Sequence, residues 1–216
     1  MPETPSFDAS VFKQDLARGI SFLNLAIESD KQQRMLDFLE RLVKWNQAYN
    51  LSGIKDPRKM LSLHLLDSLS ILPFVKGNRI IDVGTGAGLP GIPLAICLPG
   101  SHFSLLDSNG KKMRFVFQSS SALNLQNIAI IQQRVESYQS KEAFDIVLSR
   151  AFSTLKQMID LTAHLLAPQG RILAMKGQFP EQEITEIPAG FRLLEVHELK
   201  LPGETATRHL LELGRQ

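Results

Sequence analysis

Apolar residues in the first third of the chain recur every three or four positions, which is the spacing of amphipathic helices. The pattern holds from Val11 to Tyr49 and resumes over a third predicted helix, from about Pro57 to Leu72. That third helix starts at an Asp-Pro pair and stops before a further proline, and both are ordinary helix boundaries. No strand pattern occurs here, so residues 1–75 are predicted to form a helical N-terminal extension.

The pattern changes after Lys76, where short apolar runs alternate with helical segments. Such alternation predicts an α/β fold with a parallel, doubly wound sheet over residues 76–216. The last two runs have no full helix between them, which favours an antiparallel edge on that sheet. The predicted strands are Arg79–Val83, Phe103–Asp107, Ile128–Ile131, Phe144–Ser149, Arg171–Lys176, Phe191–Leu199 and Thr207–Leu213. The predicted helices between them are Pro90–Cys97, Gly110–Asn124, Val135–Tyr138 and Thr154–Leu166.

The composition suits one globular domain with an appendage, since 44% of the 216 residues are hydrophobic and 21% are charged. A single cysteine excludes an intramolecular disulfide framework and a thiolate metal cluster. The histidines show no metal-ligand spacing, so no metal is predicted. The net charge of +2 is compatible with an RNA substrate without requiring one.

The sequence shows no signal for export or membrane insertion. Its first residues have neither the basic segment nor the apolar core of a leader peptide. No apolar run approaches the length that spans a bilayer. The expectation is a cytoplasmic, monomeric protein with no membrane partner.

Three glycines follow the first predicted strand at alternate positions, namely Gly84, Gly86 and Gly88. Glycine adopts positive φ without steric cost, and it lets backbone amides approach a ligand closely. The dinucleotide fingerprint G-x-G-x-x-G requires a third glycine where this chain has Leu89. The loop therefore predicts a nucleotide-like ligand without matching the dinucleotide pattern.

Two carboxylates flank this loop. Asp82 lies inside the strand just before it, where a carboxylate would repel a pyrophosphate but attract a sulfonium or an amino group. Asp107 ends the next strand, where a carboxylate can accept hydrogen bonds from both hydroxyls of a ribose. Together they favour S-adenosylmethionine over a nicotinamide dinucleotide as the cofactor.

Seven stretches carry a family resemblance that extends from about Arg34 to the C-terminus. They are Tyr49–Ile54 (Y-N-L-S-G-I), His64–Leu69 (H-L-L-D-S-L), Ile81–Ala95 (I-D-V-G-T-G-A-G-L-P-G-I-P-L-A), Leu105–Ser108 (L-L-D-S), Ser149–Phe152 (S-R-A-F), Lys176–Gln178 (K-G-Q) and Gly203–Leu210 (G-E-T-A-T-R-H-L). This combination resembles the ribosomal RNA small subunit methyltransferase G family, also called glucose-inhibited division protein B.

The resemblance implies a class I S-adenosylmethionine-dependent methyltransferase fold, with a Rossmann-like, mostly parallel seven-stranded sheet that has an antiparallel edge strand. It implies methyl transfer from S-adenosylmethionine to N7 of a guanine in 16S rRNA, with the small ribosomal subunit or its precursor as partner. Matching positions imply cofactor contacts at Gly84, Leu89, Val135, Glu136 and Arg150.

The complete prediction for the site combines the motif and the resemblance. The cofactor-binding set is Asp82, Gly84, Gly86, Gly88, Leu89, Asp107, Val135, Glu136 and Arg150. The substrate-binding set is Arg150, Phe152 and Lys176 at strand ends, with Lys111, Lys112 and Arg114 on the helix after the second strand. Guanine N7 carries a lone pair and no proton, so no catalytic base is predicted.

Several of these residues also have an ordinary structural interpretation. Asp82 could hold the loop amides, and Asp107 could cap the following helix. Val135 and Glu136 could form the first turn of a surface helix, where an acid suits the helix dipole. Arg150 could be an ordinary surface arginine.

His64 and Asp67 are three residues apart and share one face of the third predicted helix. A structural pair that joins the helical region to the sheet is the favoured interpretation. Neither residue is predicted to act as a base.

Three other functions remain open on the sequence alone. A small-molecule methyltransferase would use the same fold, but the polar edge at Lys176–Gln178 and the basic helix after the second strand argue against it. An RNA-binding assembly protein with a vestigial cofactor site is disfavoured by the intact glycine loop. A nicotinamide enzyme is disfavoured by Leu89.

Overall fold

The computed structural model describes residues 7–150, 152 and 154–216. The N-terminal extension consists of α1 (Ala9–Phe22), α2 (Ser29–Tyr49), and a continuous helical segment from α3 (Pro57–Met60) through a π-helical turn into α4 (Asp67–Ser70). Asp8 caps α1 and Asp56 caps α3, because each carboxylate accepts hydrogen bonds from amides of the first helical turn. Within the described ranges, no helix has the length and apolar character that a bilayer crossing requires.

A seven-stranded sheet forms the remainder of the core, in the order β3-β2-β1-β4-β5-β7-β6. Neighbouring strands from β1 to β5 pair in parallel, whereas β7 runs antiparallel to both β5 and β6. The strands are β1 (Arg79–Val83), β2 (His102–Asp107), β3 (Ile128–Gln132), β4 (Phe144–Ser149), β5 (Leu166–Lys176), β6 (Phe191–Leu199) and β7 (Arg208–Arg215). The helices among them are α5 (Gly91–Cys97), α6 (Gly110–Ala122), α7 (Leu155–Thr162) and α8 (Glu181–Thr185). The prediction of a mostly parallel α/β sheet is confirmed, and the reversed strand β7 lies one position in from the edge.

The main difference from the predicted elements is at the start of β5. The sequence pattern predicts a helix that continues to Leu166, but α7 ends at Thr162 and Leu166 already pairs with Phe144. The pairing then shifts register before it resumes. Gly170 explains the irregularity, because a Cβ there would lie 2.9 Å from the carbonyl oxygen of Phe144.

The extension and the sheet share one apolar core. Buried side chains of α1 and α2 pack with those of α5, α6 and one face of the sheet, while α7 covers the other face. The ring of Phe38 on α2, for example, lies 5.9 Å from that of Phe115 on α6. The division into 1–75 and 76–216 stays a prediction about chain segments, since the two segments bury their apolar residues together.

Candidate active site

The glycine loop turns at the carboxyl end of β1. Gly84, Gly86 and Gly88 have φ values of +70°, +60° and +80°. The backbone N–H groups of Gly84 and Thr85 both donate to the carbonyl oxygen of Leu106 at the end of β2, at 2.8 and 3.1 Å. The loop is thus fixed at the sheet edge where open α/β proteins bind ligands.

Asp82, in β1, stabilises this loop by hydrogen bonds on its buried side. Its Oδ2 accepts hydrogen bonds from Thr85 Oγ1 at 2.7 Å and from the N–H of Gly91 at 2.9 Å. The residue is 1% exposed, and burial raises the pKa of its carboxyl to about 6. It lines neither of the two cavities beside the loop. These contacts give Asp82 a loop-holding role, and its predicted contact with the cofactor stays a prediction.

Asp107 links the loop to β2. Its Oδ2 accepts from the N–H of Gly86 at 2.9 Å, and its Oδ1 accepts from the N–H of Asn109 at 2.8 Å. The cap of α6 is Asn109, whose side chain accepts from the N–H groups of Lys111 and Lys112. The alternative in which Asp107 caps that helix is therefore wrong. Each carboxylate oxygen has two lone pairs, so Asp107 can still accept from a ligand hydroxyl.

A cavity of about 240 Å³, called the first cavity, lies on the β3 side of the loop. It brings together four residues of the predicted cofactor set, Gly84, Asp107, Val135 and Glu136, with the predicted substrate residue Phe152. Its other lining residues are Val83, Leu106, Ser108, Gln133, Arg134, Gln157 and Leu161.

A second cavity of about 210 Å³ also adjoins the glycine loop. It is lined by Leu51, Ser52, His64, Gly84, Thr85, Gly86, Ala87, Leu89, Lys112 and Arg150. Gly84 belongs to both cavities, and part of the second wall comes from the helical extension. Gly88 lines neither cavity. A Cβ there would lie 2.4 Å from Ile92 Cδ1, so the lack of a side chain lets the loop pack against α5.

A hydrogen-bonded chain lies along the wall of the second cavity. Ser52 Oγ lies 2.7 Å from His64 Nε2, and His64 Nδ1 lies 3.1 Å from the carbonyl oxygen of Leu63. Arg150 Nη1 donates to the same carbonyl oxygen at 3.2 Å and to Asp67 Oδ2 at 3.1 Å. Asp67 thus joins the extension to the sheet through its hydrogen bond with Arg150, and His64 contacts the same Leu63 carbonyl oxygen as Arg150.

Burial shifts the pKa values of two side chains in this hydrogen-bonded series. It lowers the pKa of His64 to about 4, helped by the positive charge of Arg150. Burial also raises the pKa of Asp67, against the opposing effect of Arg150 and Arg208. At neutral pH the wall of the second cavity therefore presents an uncharged imidazole.

A third cavity of about 140 Å³ lies at the ends of β4 and β5 and the start of β7. It is lined by Asp67, Arg150, Met175, Lys176, Gly177, Leu199, Arg208 and His209. Lys176 Nζ forms an ion pair with Glu183 on α8, at 2.7 Å. Arg150 lines both the second and the third cavity, so it lies between them.

The structure separates the predicted basic residues of α6. Lys112 lines the second cavity, whereas Lys111 and Arg114 are exposed and line none of the three cavities. Sequence reasoning assigned no role to Ser52, Arg208 and His209, although all three lie in stretches that carry the family resemblance. Their positions beside the cavities depend on the fold, which brings the extension and β7 to the same sheet edge.

One histidine acquires carboxylate neighbours that its spacing in the sequence does not show. His197 on β6 lies 3.1 Å from Glu212 on β7 and stacks on Phe74, with Glu195 close by. Strand pairing brings these residues together. The absence of a metal stays a prediction.

The buried His64 and Asp82 are expected to act oppositely on stability between pH 4 and 6. Unfolding lets His64 take up a proton below pH 6.5, so this group lowers the unfolding free energy as the pH falls to about 4. Folding keeps Asp82 protonated up to about pH 6 instead of 3.8, so this group raises the unfolding free energy as the pH falls. As the pH falls from 6 to 4, the unfolding free energy of His64→Gln should gain about 2 kcal/mol relative to the wild type, and that of Asp82→Asn should lose about 2 kcal/mol, as measured by urea unfolding.

The control for this measurement is His102→Gln, at an exposed position at the start of β2. Over the same pH range, its unfolding free energy should change relative to that of the wild type by less than about 0.5 kcal/mol. If the unfolding free energy of all three variants and of the wild type changed with pH in parallel, the shifted pKa values of His64 and Asp82 would be contradicted.

Comparison with known proteins places this site in a family context. The family described as rRNA small subunit methyltransferase G matches residues 31–211. A protein named ribosomal RNA small subunit methyltransferase G from Nitrosococcus oceani is 46% identical over 204 residues, covering 94% of this chain and 95% of the relative. Its namesake from Pseudomonas aeruginosa is 46% identical over 202 residues, covering 93% and 94%.

Solved structures share the fold at low sequence identity. TrmN from Thermus thermophilus gives a TM-score of 0.56 at 19% identity, covering 70% of this chain and 48% of that chain. TYW2 from M. jannaschii, solved in complex with AdoMet, gives 0.55 at 18% identity, covering 74% and 81%. These similarities show the fold of the sheet and the helices around it.

Proposed function

The chain belongs to the rRNA small subunit methyltransferase G family, and from this premise we propose that it methylates N7 of guanine 527, in the standard numbering, of 16S rRNA. The proposed methyl donor is S-adenosylmethionine, and the proposed partner is the small ribosomal subunit or its precursor. The observation that carries the proposal is the position of Gly84, which forms part of two cavities at the carboxyl edge of the sheet. A donor in one cavity and an acceptor in the other can meet at this shared residue.

The residues present fit the proposed cofactor. Gly84 and Gly86 hold positive φ, and a Cβ on Gly86 would lie 3.8 Å from Lys112 Nζ, a second-cavity residue. Asp107 offers remaining acceptor capacity for ribose hydroxyls, and Glu136 offers a further carboxylate in the same cavity. Gly84, Asp107, Val135 and Glu136 are therefore the residues we expect to hold the nucleoside part of the cofactor.

The chemistry requires little proton transfer. When bound, S-adenosylmethionine supplies an electrophilic methyl group on a sulfonium. Guanine N7 attacks with its own lone pair, so no residue of the chain has to remove a proton. The contribution of the protein is to orient the base and to exclude water from the reacting atoms.

The electrostatics of the second cavity suit this reaction. The guanine gains positive charge as N7 is methylated, so an adjacent uncompensated cation would oppose the reaction. His64 is neutral there, and the charge of Arg150 is balanced by Asp67 at 3.1 Å. We assign Arg150 and Phe152 to positioning the substrate, with Lys176 and Lys112 as further candidates for RNA contacts.

The test is methyl transfer with the product identified. The purified protein is incubated with S-adenosylmethionine labelled in its methyl group and with small ribosomal subunits from a strain that lacks this methyltransferase. Nuclease digestion and nucleoside analysis should then show label in 7-methylguanosine at a single site. Subunits from the parent strain, which already carry the modification, are the control and should accept almost no label.

Other outcomes contradict the proposal in separable ways. Label in a different nucleoside would overturn the N7 assignment. Transfer to small molecules of a cell extract, with none to subunits or to free 16S rRNA, would favour the small-molecule alternative.

A further inference from the structure

Two residues that line the third cavity, Asp67 and His209, each carry a buried side-chain atom that lacks a hydrogen-bond partner among the described residues, namely Asp67 Oδ1 and His209 Nδ1. The side chain of Asp67 is only 5% exposed. Arg208 Nε lies 3.6 Å from Asp67 Oδ1, which is an ion-pair distance but too long for a hydrogen bond. A buried acceptor without a donor is costly in a folded protein, so it calls for an explanation.

The position of the cavity points to the acceptor substrate. The first and second cavities adjoin the glycine loop on β1, whereas the third lies at the ends of β4 and β5. Arg150 separates the second cavity from the third. A nucleotide whose base occupies the second cavity would place its sugar and backbone near Arg150.

The charges around the cavity suit an RNA backbone. Arg150, Arg208 and Lys176 line it, with Asp67 and Glu183 as their ion-pair partners. Cations at such a position attract phosphate groups. The carboxylate oxygen of Asp67 that lacks a hydrogen bond does not attract a phosphate group, because a negatively charged acceptor repels a phosphate oxygen. It requires a donor.

The unpartnered atoms together define the chemistry of the ligand group. Asp67 Oδ1 can only accept a hydrogen bond, while an imidazole Nδ1 that carries its proton donates one. A hydroxyl both donates and accepts, and the 2′-hydroxyl is the group that distinguishes RNA from DNA. The ring of His209 is also flanked by Phe179, at 5.4 Å and 56°, which restricts its orientation.

We propose that the third cavity binds a ribose 2′-hydroxyl of the substrate strand, which donates to Asp67 Oδ1 and accepts from His209 Nδ1. This inference rests on the proposed function. It assigns to Asp67 and His209 the discrimination of RNA from DNA, separately from the residues that hold the cofactor.

The first experiment changes the substrate and leaves the protein intact. Small subunits are reconstituted from 16S rRNA assembled by splinted ligation, with a single 2′-deoxynucleotide at the target guanosine or at one of its neighbours. One position should reduce kcat/KM by about 10- to 100-fold, the effect of leaving buried polar partners unpaired. A 2′-fluoro group at that position, which cannot donate, should cause a similar loss.

The second experiment links that position to the cavity. His209→Phe keeps an aromatic ring beside Phe179 but removes Nδ1, so it should lower transfer to the all-ribose substrate and shrink the penalty of the 2′-deoxy substitution to less than about threefold. The matched control is His102→Phe, an exposed histidine outside the cavity, which should retain the full penalty.

Failure of the inference is distinct from failure of the proposed function. Equal transfer to every 2′-deoxy substrate would overturn the inference while methyl transfer to the all-ribose subunit stands. An unchanged 2′-deoxy penalty in His209→Phe would also overturn it. Absence of transfer to the all-ribose subunit would instead remove the proposed function.

Discussion

Replacement of Gly84 by alanine is expected to weaken binding of S-adenosylmethionine by about 100-fold and to reduce methyl transfer at least as much. Gly84 lies in both cavities beside the loop and holds φ at +70°. An alanine there is strained by about 1–2 kcal/mol, and we expect its methyl group to hinder the approach of the donor that we propose to bind at this loop. Calorimetric titration with S-adenosylhomocysteine measures the affinity, and urea unfolding measures the stability.

The control for Gly84→Ala is Gly190→Ala. Gly190 has a φ of +86°, and a Cβ there would meet nothing within 4 Å. It lines none of the three cavities. Both variants should lose a similar amount of stability, but only the first should lose cofactor affinity. Equal affinities for the two variants would contradict the placement of the cofactor at the glycine loop.

Replacement of Arg150 by glutamine is expected to lower the unfolding free energy by about 2–4 kcal/mol and to reduce kcat/KM more than 100-fold. The reason for the instability is Asp67, which is 5% exposed and, among the described residues, would keep only the ion pair with Arg208, at 3.6 Å. The reason for the lost activity is that Arg150 joins the second and third cavities. Urea unfolding and single-turnover methyl transfer measure the two effects separately.

Substitution of the ion-pair partner, Asp67, should lower the unfolding free energy less. In Asp67→Asn the stranded partner is Arg150, which is 26% exposed and can be solvated, so we expect a loss of about 1 kcal/mol. The double variant should be no less stable than Arg150→Gln alone. Equal losses in the two single variants, adding fully in the double variant, would argue against a buried pair.

The sequence was sufficient to predict the architecture of the sheet. The alternation of apolar runs after Lys76 predicts the strands of the parallel part within a few residues, and the missing helix before the last run predicts the reversed strand. The early end of α7 and the long β5 were not predicted. They depend on contacts between Gly170 and β4, which are distant in sequence and have no local pattern.

The candidate site was predicted unevenly. Gly84 and Asp107 could be named from the glycine loop and the end of the next strand, whereas Glu136 could be named only from the family resemblance. The structure places all three in the lining of one cavity. The role of Asp82 could not be settled, since the same position suits a ligand contact and a support for the loop. Its contacts with Thr85 and Gly91 show the support for the loop, while the contact with the cofactor stays a prediction.

The contribution of the helical extension was the least predictable part. His64 and Asp67 are on one helix face, yet each finds its partner in a different segment, at Ser52 and at Arg150. Ser52 follows α2 and Arg150 follows β4, so nearly a hundred residues separate them in sequence. Helical periodicity predicts which side chains share a face, but not what that face meets.

The most direct test of the account is a crystal structure of the protein with S-adenosylhomocysteine. We predict density for the nucleoside in the first cavity, in contact with Asp107 and Glu136, and density for the sulfur beside Gly84. Density in the third cavity, or density that leaves Gly84 without a contact, would contradict the account.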